Sequence, residues 1–309
     1  MTETFIIARE EAKIFHAIPD VKRRALSKDI IRPFPHILEY GKQKFDKIFL
    51  NSLNFHYNKG IEFCYVHKGR YQWVVEDEEV TLYPGDTFIT CPWELHGSKG
   101  GFLDLGVLSW LIIQPEEFLE GKDLRLGKWS NLPEKDQSLI GKTIHNKYHH
   151  SFHNPVIGEI LDQVFHELMN TNLGYKKRVN SLIEDLFILS ARSFMKESCV
   201  DEENDCFDLK KLEAKLVSNL DHPWSVKEMA ELVNMGVTSF IEKTKQHTGL
   251  TPINLLIDLR IKEAAELMRT SDKSFTEIAY ECGFSSLQHF SDTFRKRMGH
   301  SPSGYQKMV

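Results

Sequence analysis

The spacing of apolar residues changes along the chain and divides it into parts. Between about residues 48 and 113, apolar and polar positions alternate, as in residues 61–67, and Gly or Pro turns separate the short segments. Such alternation predicts antiparallel strands, and strands at this spacing predict a β-barrel or jelly roll. In residues 155–170 and 174–196 the apolar positions instead recur every three to four residues. This period predicts two amphipathic helices that pack on the barrel.

Near the C-terminus, the chain carries the signals of two helices joined by a tight turn. Ser274 and Glu277 have the spacing of a capping box, in which each side chain pairs with the backbone of the other residue. Gly283 predicts the turn, because glycine adopts a positive φ at low cost. A second helix is predicted over about residues 286–298, with Gly299 just beyond its end. Two helices in this arrangement form a helix-turn-helix.

The second helix of this unit has an inner and an outer face. Phe290, Phe294 and Met298 recur every four residues and predict the buried face, with Leu287 beside them. The outer face carries Ser285, Gln288, His289, Asp292, Arg295 and Lys296. Hydrogen-bonding side chains can read base edges and cations can bind phosphates, so this face suits the major groove of DNA. The alternative is a solvated face on an ordinary helical bundle.

An internal repeat favours the DNA-binding interpretation. Ser225 and Glu228 form a second capping box, Asn234 takes the place of Gly283, and Phe240 that of Phe290, at offsets of 49 to 50 residues. Asn also tolerates the left-handed turn. Between the two units, residues 252–270 predict one long helix. Its apolar face comprises Leu255, Leu256, Leu259, Ala264, Leu267 and Met268.

Two such units, residues 225–249 and 274–299, bridged by a long helix, resemble the AraC family of bacterial transcription regulators. The pattern Glu277-Ile-Ala-x3-Gly283-Phe-x5-Phe290-x3-Phe294-Arg-Lys carries the resemblance, which covers about the last hundred residues. It implies binding to double-stranded DNA at promoter operator sites. The residues implied are Thr238, Ser239, Glu242, Lys245 and Gln246 in the first unit and Ser285, Ser286, Gln288, His289, Asp292, Arg295 and Lys296 in the second.

The chain departs from the family pattern in its recognition helices. Members usually carry an Arg and, two residues later, a core Phe on the first of these helices, where this chain has Glu242 and Thr244. On the second helix, Asp292 takes the matching Arg position. Carboxylates accept from cytosine but repel phosphates. We therefore expect the first unit to bind weakly or to read an unusual sequence.

Within the predicted barrel, the segment His56-x-Asn58-x3-Glu62 resembles the first motif of the cupin fold, with Asn in place of its second His. His96 follows Gly85 at the offset of the His in the second cupin motif. Two His and one carboxylate can bind iron, so a cupin-type metal-dependent enzyme or metal sensor that uses His56, Glu62 and His96 is the alternative function. The prediction is a pocket with no metal and no cofactor, because the ligand set is incomplete. A third possibility is that the two His simply form hydrogen bonds in the barrel mouth.

The barrel is expected to bind a small polar effector. Sites of this kind combine aromatic walls with a few convergent polar groups, and the candidates are His56, Glu62, Trp73, Trp93 and His96. A sugar or sugar acid is the expected effector, because many regulators of this layout respond to carbohydrates. Alternation leaves open whether Glu62, Cys64 and Val66 or Phe63, Tyr65 and His67 face the interior.

Length and charge set the domain organisation. At 309 residues the chain suits two domains. We predict an α+β protein with a cupin-like sensing and dimerisation domain (residues 1–200), an acidic linker (201–208) and an all-α DNA-binding domain (209–309). Residues 1–47 receive no assigned role. The net charge is −5, and residues 207–309 carry fourteen Lys or Arg against thirteen Asp or Glu, so any basic patch is local.

The remaining features concern the compartment and partners. Five cysteines without a CxxC pair indicate reduced thiols, and the N-terminus lacks a basic start followed by an apolar core. The apolar stretch at residues 102–113 is too short to cross a bilayer. We expect a cytoplasmic, non-enzymatic, homodimeric regulator without a membrane partner, which contacts RNA polymerase if it acts as an activator. The helix pair at residues 155–196 resembles the dimerisation surface of such regulators.

Overall fold

The computed structural model describes residues 5–8, 30–45, 53–98, 101, 103–197 and 209–308. These residues divide into two compact units, one within residues 1–201 and the other within residues 202–309. The predicted linker and most of the leading segment lie outside the described residues. In the part that is described, no helix is long and apolar enough to cross a membrane. Cys64, Cys91 and Cys282 are buried free thiols.

The first unit is built on antiparallel strands in two sheets. The strands are β1 (Phe5–Ala8), β2 (Ile37–Phe45), β3 (Ile61–Gly69), β4 (Tyr71–Val75), β5 (Glu78–Leu82), β6 (Asp86–Thr90), β7 (His96–Ser98), β8 (Gly106–Ile113) and β9 (Ser151–His153). The larger sheet has the strand order β1-β2-β8-β3-β6-β9 and the smaller has the order β5-β4-β7.

Contacts between side chains show that the two sheets face each other. Trp73 of β4 packs edge-on against Phe88 of β6, with ring centroids 4.8 Å apart. His96 of β7 reaches Glu62 of β3. The predicted jelly roll is confirmed, as two facing sheets rather than one closed cylinder in the described strands. The volume between the sheets is called the interior below.

Three helices accompany the sheets: α1 (Glu134–His145), α2 (Pro155–Asn170) and α3 (Tyr175–Glu197). Helices α2 and α3 cover the outer face of the larger sheet, and α1 packs against α3. Phe63 of β3 packs against Phe187 of α3 at 5.0 Å, and the Tyr40 hydroxyl donates to the Leu161 carbonyl of α2 at 3.1 Å. The two predicted helices are therefore confirmed, including their packing on the sheet.

Strand β2 was not predicted, although it pairs with β8 along nearly its whole length. It lies in the leading segment to which we assigned no role. Its polar residues Glu39 and Gln43 are buried in the interior, and this hides the apolar alternation on which strand prediction depends. The larger sheet therefore begins earlier than expected.

The second unit is entirely helical in its described residues. Its helices are α4 (Leu209–Val217), α5 (Val226–Leu232), α6 (Val237–Thr248), α7 (Pro252–Thr270), α8 (Phe275–Glu281), α9 (Leu287–Met298) and α10 (Pro302–Gln306). Helix α7 contacts α4, α5, α6, α8 and α9, so it is the centre of the packing. The predicted α+β class and the long bridging helix are confirmed, whereas α4 and α10 were not predicted.

Both predicted capping boxes are present. The Ser225 and Ser274 backbone N–H groups each donate to the glutamate three residues on at 2.8 Å, and each serine hydroxyl accepts from that glutamate's N–H. The bonds from Ser225 lower the pKa of Glu228 to about 2. The following turns are left-handed as predicted, with φ of 53° at Asn234 and 75° at Gly283.

The turn at Gly283 is also a close contact. A Cβ at this position would lie 2.2 Å from the Leu220 carbonyl oxygen and 2.6 Å from the Arg260 guanidinium. Arg260, on α7, donates to the carbonyls of Leu220 and His222 at 3.0 and 2.8 Å. Glycine is therefore required here for its missing side chain as well as for its backbone conformation.

We predict that Gly283→Ala lowers the stability of the helical unit (residues 209–308) more than Asn234→Ala does. Both variants place alanine in the left-handed region, and replacing a glycine there costs about 1–3 kcal/mol. Gly283→Ala adds a clash with backbone atoms, whereas Asn234 is exposed. Hydrogen exchange of peptides from residues 209–308 in the full chain measures both opening free energies. Equal losses in the two variants would show that the contact with Leu220 is unimportant.

Candidate nucleic-acid interface and interior site

Helices α6 and α9 are structural equivalents, one in each repeat. Every position of α6 is buried, half-buried or exposed just as its counterpart fifty residues later in α9 is. The buried positions are Phe240, Thr244 and Thr248 in α6 and Phe290, Phe294 and Met298 in α9. The capping boxes before them are offset by 49 residues, so one extra residue lies in the turn that precedes α9.

The sequence-predicted contact residues lie on the outer faces of these two helices. All are exposed except Ser286, which is half-buried and caps α9 by accepting from the His289 N–H at 3.2 Å. We call these surfaces the recognition faces. The exposed members are Thr238, Ser239, Glu242, Lys245 and Gln246 in the first unit and Ser285, Gln288, His289, Asp292, Arg295 and Lys296 in the second.

The cations on the second recognition face are available to a ligand. Within the described residues, neither Arg295 nor Lys296 has an ion-pair partner. Arg297, by contrast, donates to the Asn254 side chain at 2.7 Å and so belongs to the packing against α7. Arg295 and Lys296 therefore combine positive charge with rotamer freedom at the C-terminal half of α9, a combination that suits phosphate oxygens.

Asp292 has a more specific environment than the sequence indicated. Its carboxylate accepts from the Gln288 amide at 2.8 Å, one helical turn away. This bond orients the amide of Gln288 and uses one of its two N–H groups. The Asp292 carboxylate, at the position where family members usually carry an Arg, thus orients a neighbouring amide and also adds a negative charge to the face.

On these helices the apolar Leu287 is exposed and the polar Thr244 is buried, the reverse of what side-chain polarity alone suggests. Leu287 does not belong to the buried face: it is the first residue of α9 and is 39% exposed, because Phe290 and Phe294 already fill the space against α7 and α10. Thr244, at the position of the family's core Phe, is fully buried, and its hydroxyl has no hydrogen-bond partner among the described residues. The first recognition helix therefore contributes a smaller side chain to its core at this position than the second, where the equivalent residue is Phe294.

The structure settles which face of β3 points to the interior. Glu62 pairs with Thr90, and Cys64 with Phe88, on the face turned toward the smaller sheet. Phe63 and Tyr65 belong to the apolar core under α2 and α3. The first of the two open alternatives, Glu62, Cys64 and Val66, is therefore the interior set.

His56, Asn58, Glu62 and His96 meet in the interior and are all buried. The Asn58 amide donates to a Glu62 carboxylate oxygen at 2.8 Å, and His96 Nε2 lies 3.2 Å from the same oxygen. The Nδ1 atoms of His56 and His96 lie 2.7 and 2.9 Å from the carbonyls of Asn54 and Glu94. His96 therefore has an acceptor at each ring nitrogen, the Glu94 carbonyl at Nδ1 and the Glu62 carboxylate at Nε2. This arrangement favours the doubly protonated form of the ring.

The pKa values of the two imidazoles are shifted in opposite directions. Burial disfavours a charge on His96, but the hydrogen bond to Glu62 and the Glu62 charge outweigh it, so the pKa of His96 is raised. Burial and the neighbouring His96, whose ring lies 4.4 Å away, lower the pKa of His56. The surroundings therefore favour a charged His96 beside the Glu62 carboxylate and a neutral His56.

These side chains do not fit a metal ion. The Asn58 amide and the His96 ring are both directed at the Glu62 carboxylate, so the donors of the site are paired with one another. Among the described residues, no group of three or more His, Cys, Asp or Glu has the geometry of a metal site.

The two tryptophans predicted to line the pocket lie in different places. Trp73 is buried beside Phe88 in the interior, and its indole N–H has no hydrogen-bond partner among the described residues. Trp93 instead packs against Phe118 and His145, in the core next to α1, because it follows Pro92 in the turn after β6. Trp93 is therefore a poor candidate for the site.

The interior also contains polar residues that sequence reasoning missed. Glu39 accepts from the Trp110 indole at 2.6 Å, and Gly41 leaves room for that ring, since a Cβ there would lie 2.1 Å from it. Gln43 Oε1 and the Thr90 hydroxyl are buried without a partner in the described part of the chain. Glu39 and Gln43 both lie on strand β2. Had this strand been predicted from the sequence, its position in the sheet would have pointed to these two residues.

Comparison with known proteins bears on both units. The sequence model described as a helix-turn-helix domain matches residues 229–308, and the one described as a cupin domain matches residues 52–99. Residues 229–308 form an AraC-type helix-turn-helix domain. The predicted combination of this AraC-type domain with a cupin domain is confirmed.

Individual relatives match mainly part of the chain. An uncharacterized HTH-type transcriptional regulator of Haemophilus influenzae is 32% identical over 148 residues, 46% of this chain and 49% of the relative. The HTH-type transcriptional activator RhaS of Salmonella arizonae is 39% identical over 121 residues, 39% of this chain and 42% of the relative. The chain thus spans about half the length of the curated relatives that it matches.

A solved structure is also similar to part of this chain. A transcriptional regulator described as having an AraC-type DNA-binding domain, from Chromobacterium violaceum, is 28% identical and covers 32% of this chain and 89% of its own, with a TM-score of 0.32.

We predict that Glu62→Gln lowers the pKa of His96, because the hydrogen bond to the Glu62 carboxylate and the Glu62 charge, the two largest influences that raise it, are lost while burial remains. A folded-state pKa above the unfolded one stabilises below the unfolded pKa, and this stability is lost as pH rises through the folded value. Glu62→Gln should therefore destabilise the full chain more at pH 5.5 than at about pH 8.5.

NMR titration of the histidine rings and thermal unfolding at the two pH values test this, with Glu134→Gln on the surface of α1 as the matched control. Equal destabilisation by Glu62→Gln at both pH values, with an unchanged His96 titration, would contradict the ion pair.

Proposed function

We propose that this protein is a transcription regulator that binds operator DNA through α6 and α9 and responds to a small polar effector in the interior of its cupin domain. The observation that carries the proposal is the equivalence of the two recognition helices, position by position, in burial. A duplicated helix-turn-helix with matching exposed faces presents two surfaces of the size and chemistry that the major groove accepts.

The chemistry of the recognition faces supports the same role. Their N-terminal ends carry hydrogen-bonding groups, among them Ser239 and Gln288, and their C-terminal ends carry Lys245, Arg295 and Lys296. In helix-turn-helix proteins the N-terminal residues of the recognition helix reach the bases. Cations further along can hold the phosphates and set the register. A local cluster of this kind is compatible with a net charge of −5.

The assembly and mode of action extend the proposal. The protein acts in the bacterial cytoplasm as a homodimer, through the α2–α3 pair, and activates transcription by contact with RNA polymerase. Similarity to the HTH-type transcriptional activator RhaS supports activation rather than repression. The domain content is that of a regulator, and we propose no catalytic activity.

The interior residues narrow the class of effector. Two buried carboxylates, Glu39 and Glu62, favour a neutral polyol such as a sugar over an anionic sugar acid. Polar atoms that lack partners among the described residues, Trp73 Nε1, Thr90 Oγ1 and Gln43 Oε1, can bond to ligand hydroxyls. Trp73 and Phe88 supply aromatic faces for sugar C–H groups.

We predict that the full chain protects two patches of its operator about 34 Å, or one helical turn, apart per monomer. Arg295→Ala and Lys296→Ala should weaken binding to every sequence, and each should reduce the slope of log affinity against log salt by about 1, because one phosphate contact is lost. Footprinting and a salt series measure both effects.

Lys135→Ala, an exposed cation on α1, is the matched control and should leave the slope unchanged. A single protected patch per monomer would contradict the use of both helices. Unchanged salt slopes in both variants would remove Arg295 and Lys296 from the interface.

We predict that neutral sugars bind the full chain in the presence of a chelator and change its affinity for operator DNA, whereas uronates bind more weakly. Trp73→Phe should weaken binding roughly two- to tenfold through the loss of one hydrogen bond. Trp93→Phe should not, because Trp93 packs outside the interior. Calorimetry with a sugar panel measures this. Oxygen-dependent turnover after iron loading, without any effect of ligands on DNA binding, would favour the cupin-enzyme alternative.

A further inference from the structure

The first residue of each recognition helix is an exposed aliphatic side chain. Val237 opens α6 and is 40% exposed, and Leu287 opens α9 and is 39% exposed. The two residues are fifty positions apart, the same offset that relates every other pair of equivalents in these helices. An exposed apolar residue has thus been placed twice at one structural position.

Single exposed apolar residues are common on protein surfaces and need no explanation. What distinguishes Val237 and Leu287 is their surroundings. Thr238 and Ser239 follow the first, Gln288 and His289 follow the second, and all four are exposed hydrogen-bonding residues. The cations Arg295 and Lys296 lie two turns further along α9. The aliphatic residues therefore occupy the base-contacting end of each recognition face, apart from the phosphate-contacting end.

The chemistry of the major groove restricts what an aliphatic side chain can contact there. Each base edge presents hydrogen-bond donors and acceptors, and the C5-methyl group of thymine is the apolar group among them. Valine and leucine cannot form the hydrogen bonds that a polar base edge loses when its water is displaced. They therefore disfavour positions where they would cover such an edge. A thymine methyl group, in contrast, gains from the contact because both surfaces leave water.

We propose that Leu287 and Val237 are specificity-determining residues, each of which reads a thymine through its C5-methyl group, one in each half of the binding site. The inference rests on the proposed function, since it requires that α6 and α9 enter the major groove. It adds a property of the operator: a thymine at the matching place in both halves, about one helical turn apart.

The environment of Leu287 supports the assignment. Gln288, the next residue, is oriented by its bond to Asp292, and a glutamine amide pairs with adenine in the major groove. A leucine for thymine beside a glutamine for adenine gives the second half-site an A·T-rich centre. The first unit, with Val237 beside Thr238 and Ser239, makes the same methyl contact with a shorter side chain and weaker polar neighbours.

The test uses the operator that the purified full chain selects from a random duplex library. Each thymine of that operator is replaced in turn by deoxyuridine, which removes the methyl group and keeps the hydrogen-bonding edge. For the wild-type chain, we expect one position in each half at which the replacement weakens binding roughly fourfold, the effect of returning one buried methyl group to water.

The variants assign each position to a residue. In Leu287→Ala the replacement in one half should no longer matter, and in Val237→Ala the replacement in the other half should no longer matter. Ile253→Ala is the matched control: Ile253 is an aliphatic residue 41% exposed near the start of α7, outside the recognition faces, and should leave both positions sensitive. Circular dichroism and thermal unfolding confirm that the variants fold.

The outcomes separate this inference from the proposed function. If the wild-type chain selects a duplex but no thymine replacement weakens binding, or if the sensitive positions stay sensitive in both variants, the methyl readout is wrong and DNA binding stands. If the chain selects no duplex at all, the proposed function fails, and the inference with it.

Discussion

The close contact between the turn at Gly283 and the carbonyl oxygen of Leu220 is the constraint on which the helical unit depends. Arg260 donates to that carbonyl from α7, so the segment after α4, the long central helix and the turn of the second repeat meet at one point. Helix α7 also packs against both recognition helices. Their separation is therefore fixed by helix packing, which is a requirement for reading two grooves of a regular duplex at once.

Local chemistry explains why the sequence predicted the helical unit well. Capping boxes, left-handed turns and Gly–Pro exits are specified by a few residues that are close in sequence, and the structure places Ser274, Asn234 and Gly299 in those roles. The sequence placed Leu287 on the buried face because it lies three residues before Phe290, but a residue at the edge of the exposed face can have the same spacing. Whether a position at a helix end is covered depends on neighbouring elements, here α10 as well as α7, and α10 was not foreseen.

The sheet unit was harder to predict for a different reason. Period-two alternation separates the faces of a strand only when one face meets water, but residues 61–66 of β3 are buried on both sides. Apolar residues therefore could not show that Glu62 and Cys64 point to the interior. Strand β2 hides its alternation in the same way, because Glu39 and Gln43 are buried polar residues. The candidate site could be predicted as far as His56, Glu62 and His96, whereas Trp93 required knowledge of where α1 packs.

The two repeats differ in length by a single residue, and the place of that residue matters. One residue inserted within a helix rotates everything that follows by about 100° about the axis. Here the extra residue lies in the turn before α9, and the burial of α9 still matches that of α6 at every position. The turn thus absorbs a change of length without altering the phase of the helix behind it. A duplicated unit of this kind can change its connections while the side chains that face a ligand keep their places.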